Sequence, residues 1–200
     1  DYTDRHKLYY HELNKSQKSD VVIFGDSKEK YRYVYSDVSD DNRYLFITAS
    51  NLTDGNKLFM VDLKNKPNEI QVVSDDETTD SNVVVTEGET IYIFTNFNAP
   101  NKRLVKTSID RLNRKFWEDV IPETENVFSL SNGSGYFFAE YLVDAVSEVY
   151  QFDYNGKLIR KVDLPGIGSS SGFYGEKNQK ELYFSFSNYY TPGNIYSYNP

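Results

Sequence analysis

The chain has 200 residues, a length that suits one domain or two small ones and is ample to bury a core without disulfides or a metal. Its hydrophobic class is only 38%, and 18 Tyr and 13 Phe make up much of it, so aromatic rings must supply a large part of the core. With 22 Lys plus Arg against 30 Asp plus Glu, a net charge of -8 and no cysteine, the composition argues against nucleic acid and membrane as partners and excludes thiolate chemistry.

In chain order, the first predicted strand is Lys7–Leu13 (KLYYHEL), followed by a polar stretch from Asn14 to Lys18 and a short strand Val21–Phe24. Next comes a four-strand group: Tyr33–Asp37, the turn Ser39-Asp40-Asp41-Asn42, Arg43–Thr48, Lys57–Leu63 and Ile70–Ser74. Ser74–Ser81 reads as an acidic loop. Thr90–Phe94 and Arg103–Ile109, Tyr136–Glu140 and Glu148–Tyr154, then Glu181–Ser185 and Asn194–Pro200 follow as further strand pairs. Gly166–Gly172 reads as a flexible loop between two of these groups. Turn-forming clusters at Glu87-Gly88, Asn132–Gly135 and Asn155-Gly156 predict hairpin connections. No helical stripe is evident, and the most apolar stretch, Tyr136–Val143, is short and broken by Glu140, far below the length of a membrane helix.

Two of these strand types repeat with one period. The first begins at Arg43, Thr90, Tyr136 and Glu181, at intervals of 47, 46 and 45 residues. The second has its anchor at Leu8, Leu58, Leu104, Val149 and Ile195, at intervals of 50, 46, 45 and 46. A period near 45 with room for four antiparallel strands is that of a propeller blade, because one four-stranded sheet cannot bury both faces alone and stacks on the next around an axis. The expected fold is therefore all-β: a β-propeller fragment of a little over four blades, cut from a larger ring. One partial β-propeller domain covers 1–200, with approximate units 1–24 (the end of a blade), 33–74, 83–121, 127–162 and 171–200 (incomplete). Such a fragment is expected to expose apolar faces at its two ends, including Leu8, Val22 and Ile195, and so to self-associate.

Candidate chemistry is sparse. Gly168-Ser169-Ser170-Ser171-Gly172 matches the G-x-S-x-G pattern of a hydrolase nucleophile, but no helix follows it and the two histidines, His6 and His11, lie far upstream, so it reads as an interblade loop. His6 and His11 have neither helical nor alternate-strand spacing for a metal, and Asp75, Asp76, Glu77 and Asp80 lack the glycine and terminal Glu of a calcium loop. They read as rim histidines and a solvated acidic loop, with no metal and no cofactor implied. A single tryptophan, Trp117, leaves little for stacking on sugars, which argues against a lectin or glycosidase.

Several stretches, taken in order, resemble the propeller domain of the prolyl oligopeptidase family: Lys7–His11, Ser39–Tyr44, Lys57–Phe59, Thr95–Val105 (TNFNAPNKRLV), Val120–Glu123 and Phe184–Tyr196. The resemblance implies a seven-bladed ring beside an α/β-hydrolase domain of the same protein, in a cytoplasmic or periplasmic serine peptidase that cleaves short proline-containing peptides after proline. The Ser, Asp and His of that reaction would lie in the hydrolase domain, so no catalytic residue is expected in this chain. The propeller would act as a size filter. Resemblance further implies a mobile rim loop at Asn14, Lys15, Ser16, Gln17 and Lys18, and a substrate-gating stretch at Ser50, Asn51, Leu52 and Thr53 near the amino side of the peptide. A non-catalytic propeller that binds protein or peptide on its rims is the rival reading.

Overall fold

A computed structural model describes residues 5–26 and 28–200. Among them are 17 strands and two single-turn 3-10 helices, Gln17–Ser19 and Arg114–Phe116, and no helix long and apolar enough to cross a membrane. Contacts divide the chain into two compact units. The first holds the residues up to Phe97 together with Thr107–Trp117, and the second holds Asn98–Lys106 and Glu118–Pro200.

In the first unit, strands β1 (Leu8–Tyr10) and β2 (Val21–Phe24) form a two-stranded antiparallel sheet. Strands β3 (Tyr33–Val38), β4 (Tyr44–Ser50), β5 (Lys57–Asp62) and β6 (Gln71–Ser74) form a four-stranded antiparallel meander in that order. The hairpin β7 (Ser81–Glu87) and β8 (Thr90–Thr95) completes it. In the second unit, β9 (Arg103–Ser108), which begins there, pairs with β10 (Glu118–Ile121). A complete four-stranded meander follows, β11 (Phe128–Gly133), β12 (Tyr136–Val143), β13 (Val146–Phe152) and β14 (Leu158–Val162). It is succeeded by a three-stranded one, β15 (Ser169–Tyr174), β16 (Leu182–Ser187) and β17 (Asn194–Tyr198).

Burial explains why two strand types stood out in the sequence. The second and third strands of a meander lie between neighbours and are covered on both faces: Leu58 to Asp62 are buried without a break, as are Ile91 to Ile93 and Phe137 to Ala139. First strands sit at a sheet edge and carry mixed residues. Tyr35, on β3, is 67% exposed.

Turn chemistry sets the registers. Ser39 is fixed by its own turn: its hydroxyl donates to Asp41 Oδ1 (2.6 Å) and accepts from the Tyr44 amide (2.9 Å), while Asn42 takes the left-handed conformation at φ 57°. Ser134-Gly135, both at positive φ, close β11 onto β12 as a two-residue hairpin requires. The equally tight turn between β12 and β13 is Asp144-Ala145, at φ 48° and 64°, with neither Gly nor Asn. Gly166–Gly172 is not wholly a loop, because Ser169–Gly172 pair with Phe184–Ser187 and β15 begins at Ser169. Leu8, expected to be uncovered, packs against the cluster of Phe24, Tyr31, Ile47 and Phe59 within its own unit. Ile195 is 78% exposed.

Candidate functional site

The connection from β4 to β5 carries the gating stretch expected from sequence. Ser50 is buried, and its hydroxyl donates to the Leu52 carbonyl (2.9 Å) and accepts from the Leu52 amide (3.0 Å), so the turn is tied to the end of its own strand. Asn51 accepts from the Arg32 amide through Oδ1 (3.1 Å). Asn51, Leu52, which is 52% exposed, and Thr53 are the residues of the stretch offered to solvent. Gly55 must be glycine: it sits at φ +83°, and a Cβ there would lie 2.0 Å from the Glu77 carbonyl oxygen.

A polar net holds this turn in place. Asp80 Oδ1 accepts from the Gly55 amide (3.0 Å), and buried Asn56 donates to the Ser81 carbonyl (2.9 Å) while accepting from the Ser81 amide (3.1 Å). Thr95 donates to the Asp80 carbonyl (2.6 Å), and its oxygen meets the Ser81 hydroxyl at 3.0 Å. Of these residues Gly55, Asn56 and Asp80 border a cleft of about 390 Å³ walled by Tyr33, Tyr35, Thr48, Leu52, Thr53 and Asn82. Tyr35 and Thr48 also border a neighbouring cleft of about 340 Å³ with Asp37 and Asp40 at its mouth and Phe46 and Leu58 in its floor. Neither wall includes Lys, Arg or His. The linings are aromatic faces, hydroxyls, amides and the carboxylates of Asp37, Asp40 and Asp80, a surface that does not favour an anionic ligand. They offer no nucleophile with a base, since no His lines either cleft and Ser50 spends its hydroxyl on the backbone.

The rim stretch Asn14–Lys18 is built by capping. Asn14 adopts φ 66°, Ser16 caps the 3-10 turn by accepting from the Lys18 amide (3.3 Å), and the Ser19 hydroxyl donates to the Ser16 carbonyl (2.7 Å). All five residues are exposed. The base of the loop is closed by His11 Nδ1 and Asp20 Oδ1 at 2.7 Å, which accounts for one of the two histidines.

The acidic stretch 75–80 is more than a solvated loop. Arg114 reaches it through both terminal nitrogens: Nη1 donates to Asp76 (2.8 Å) and Nη2 to Ser74 and Thr79, while the guanidinium lies 4.2 Å from the centre of the Phe97 ring and 5.7 Å from that of Trp117. The Thr78 hydroxyl, which donates to Asp76 Oδ1 (2.6 Å), and then Arg114 hold the Asp76 carboxyl well below the usual carboxylate range. Trp117 donates its indole N–H to the Leu112 carbonyl (2.9 Å) and meets Phe97 edge-on, so it serves the packing of residues 107–117 rather than a sugar platform. Among the described residues no three His, Asp or Glu are gathered to hold a metal. In the G-x-S-x-G run, Ser170 is buried in strand β15 and Ser171 bonds Ser185 across the sheet (2.9 Å), so no serine stands on an elbow.

Sequence reasoning missed Asn56 and Arg114, and read Asp80 only as part of a solvated acidic loop. The corresponding positions of the repeat are His6, Lys102, Ser147 and Gly193, so no shared residue type pointed to Asn56, whose amide carries its donor and acceptor on separate atoms and so bonds both backbone groups of Ser81.

Four-stranded antiparallel meanders repeated at this period define a β-propeller. The whole chain, residues 1–200, matches the family described as "Prolyl oligopeptidase, N-terminal beta-propeller domain", and it belongs to that family. It is 48% identical over 197 residues to a prolyl endopeptidase of Elizabethkingia meningoseptica and 45% identical to one of Elizabethkingia miricola, in each case covering 98% of this chain and 28% of the relative. The chain thus spans little more than a quarter of the curated relatives it matches. Among solved structures, one from a structural and mechanistic study of two prolyl endopeptidases superposes with a TM-score of 0.86 at 26% identity, over 96% of this chain and 28% of the other. Prolyl oligopeptidase B from Galerina marginata superposes at 0.85 with 22% identity, over 98% and 28%, which speaks for the fold.

Proposed function

We propose that this chain is the substrate-gating propeller of a serine peptidase that cleaves short peptides after proline, and that it supplies no catalytic group of its own. The observation that carries the reading is 48% identity across nearly the whole chain to a prolyl endopeptidase. Its partners are then an α/β-hydrolase domain of the same protein and short proline-containing peptides. Rim residues Asn14, Lys15, Ser16, Gln17 and Lys18 border the way in, and Ser50, Asn51, Leu52 and Thr53 stand near the amino side of the bound peptide. Within that stretch the exposed residues are Asn51, Leu52 and Thr53, while buried Ser50 bonds the backbone of its own turn. Blade units near 33–74, 83–121 and 127–162 belong to the same reading, with Ile195 the apolar residue on which self-association would turn.

The test uses the full-length protein that carries this chain and two peptides alike except for Pro or Ala before the cleaved bond. Hydrolysis of the proline peptide is expected to be favoured by about 10- to 200-fold, the range a shaped pocket supplies. Equal rates, or no hydrolysis of either, would overturn the reading.

A further inference from the structure

The hairpin loop joining β16 to β17 displays two tyrosines that the fold does not use. Tyr189 is 96% exposed and Tyr190 90% exposed, and the rings meet edge-on with centres 5.5 Å apart. Neither phenol oxygen has a hydrogen-bond partner among the described residues. Yet the loop is tightly built. Asn188 Oδ1 accepts from the Tyr190 amide (3.0 Å) and the Thr191 amide (2.7 Å), its backbone N–H donates to the Thr191 carbonyl (3.1 Å), and its Nδ2 donates to the Ile167 carbonyl (3.1 Å). Two large aromatics are therefore held out in water on a preorganised support. Such an arrangement lowers the entropy cost of a contact without contributing to the core.

Charge says what kind of contact. Leu182–Pro200 contains no Asp, Glu, Lys or Arg in a chain that is 26% charged. Depletion of charge with enrichment of tyrosine is the composition of a recognition surface for a neutral partner. Size says how large that partner's share is. Two tyrosines can cover about 300–500 Å², well short of the roughly 800 Å² each side of a stable protein interface buries. A footprint of that size fits one or two residues of a flexible peptide. Rings set edge to face form a notch with one flat wall, which suits the flat apolar face of a proline in an extended segment.

We propose that Tyr189 and Tyr190 form a secondary peptide contact that grips a neutral, proline-bearing segment of longer substrates, away from the bond that is cut. This rests on the proline-peptidase reading for the source of the peptide. The loop also occupies the same connection, second strand to third, that carries Ser50–Thr53 in the first complete meander.

The test compares the full-length protein with its Tyr189→Ala/Tyr190→Ala variant on a minimal proline substrate and on a peptide of about ten residues with a neutral, proline-bearing distal stretch. For the longer peptide KM is expected to rise about 3- to 10-fold with kcat unchanged, the scale of one or two aromatic contacts. The minimal substrate should be unaffected, and Tyr189→Phe/Tyr190→Phe should retain most of the wild-type affinity. An unchanged KM for the longer peptide would overturn the proposal. Equal losses on both substrates would also overturn it, placing the rings against another part of the protein. Calorimetric binding of the longer peptide separates the two readings: tyrosine-dependent binding without cleavage sinks the peptidase and leaves the contact standing, whereas cleavage with tyrosine-independent binding does the reverse.

Discussion

The two units of the chain solve the same blade-building problem with different chemistry. The second unit relies on a stack of rings. Phe138, Phe173, Phe184 and Tyr196 follow one another with centres 5.0, 4.7 and 5.5 Å apart and planes within 22° of parallel, surrounded by Val149, Val162, Leu182 and Phe186. One of its buried polar residues, Gln151, accepts through Oε1 from Arg160 (2.8 Å) and from the Tyr198 hydroxyl (2.7 Å). The first unit has its own apolar cluster around Ile47 and Phe59, but it attaches residues 107–117 through the charged fork of Arg114 on Asp76, Ser74 and Thr79. Ring stacking is insensitive to pH and salt, whereas a guanidinium on a carboxylate is not. One repeat can thus carry parts that respond to solution conditions differently.

The comparison can be broken most forcefully at Phe173. This residue holds φ 62°, a conformation unfavourable for a bulky side chain, at the bulge between Gly172 and Tyr174, and it is 1% exposed. Packing between Phe138 and Phe184 compensates that strain. Phe173→Ala is expected to cost about 3–5 kcal/mol, read as a fall in the urea midpoint. A loss below 1 kcal/mol would mean the stack is not what holds the second unit together.

A smaller effect sharpens the other side. Arg114→Ala removes a side chain 16% exposed and takes one donor from Asp76, Ser74 and Thr79, leaving Asp76 with its bonds from Thr78 and Thr79, an expected cost of about 1–3 kcal/mol. Lysine should not rescue it, since one ammonium cannot span three acceptors. Acid supplies the smallest and most specific test. The folded-state pKa of Asp76 is depressed below its ordinary 3.8, so the stability it contributes is complete at neutral pH and is lost as pH falls through and below 3.8. The stability gap between wild type and Arg114→Ala should be constant near neutrality and narrow below that value, while the gap for Phe173→Ala should not. Parallel behaviour of the two gaps would erase the distinction between the units.

Much of the fold was legible because the central strands are buried on both faces, so their apolar composition is forced and repeats with the blade. Edge strands, with one side in water, carried a weaker signal, and β15 was read as loop because Ser169-Ser170-Ser171-Gly172 has no period-2 hydrophobicity. The Asp144-Ala145 turn was invisible for a similar reason, as its positive φ angles are imposed by the long register of β12 on β13 rather than by a glycine. Arg114 lies 38 residues from Asp76, and no local pattern links them. The gating stretch came from family resemblance. Its anchoring by Asn56 and Asp80 needed the register of β7 beside the turn.

The central claim is that this propeller filters substrates by size in a proline-cleaving peptidase. The most direct measurement places one proline-containing sequence in two settings, a free peptide of about ten residues and a surface loop of a folded domain, and follows its cleavage by the full-length protein. The account predicts that the free peptide is cut after proline and that the same sequence in the folded domain is spared. Comparable rates on the two would contradict it.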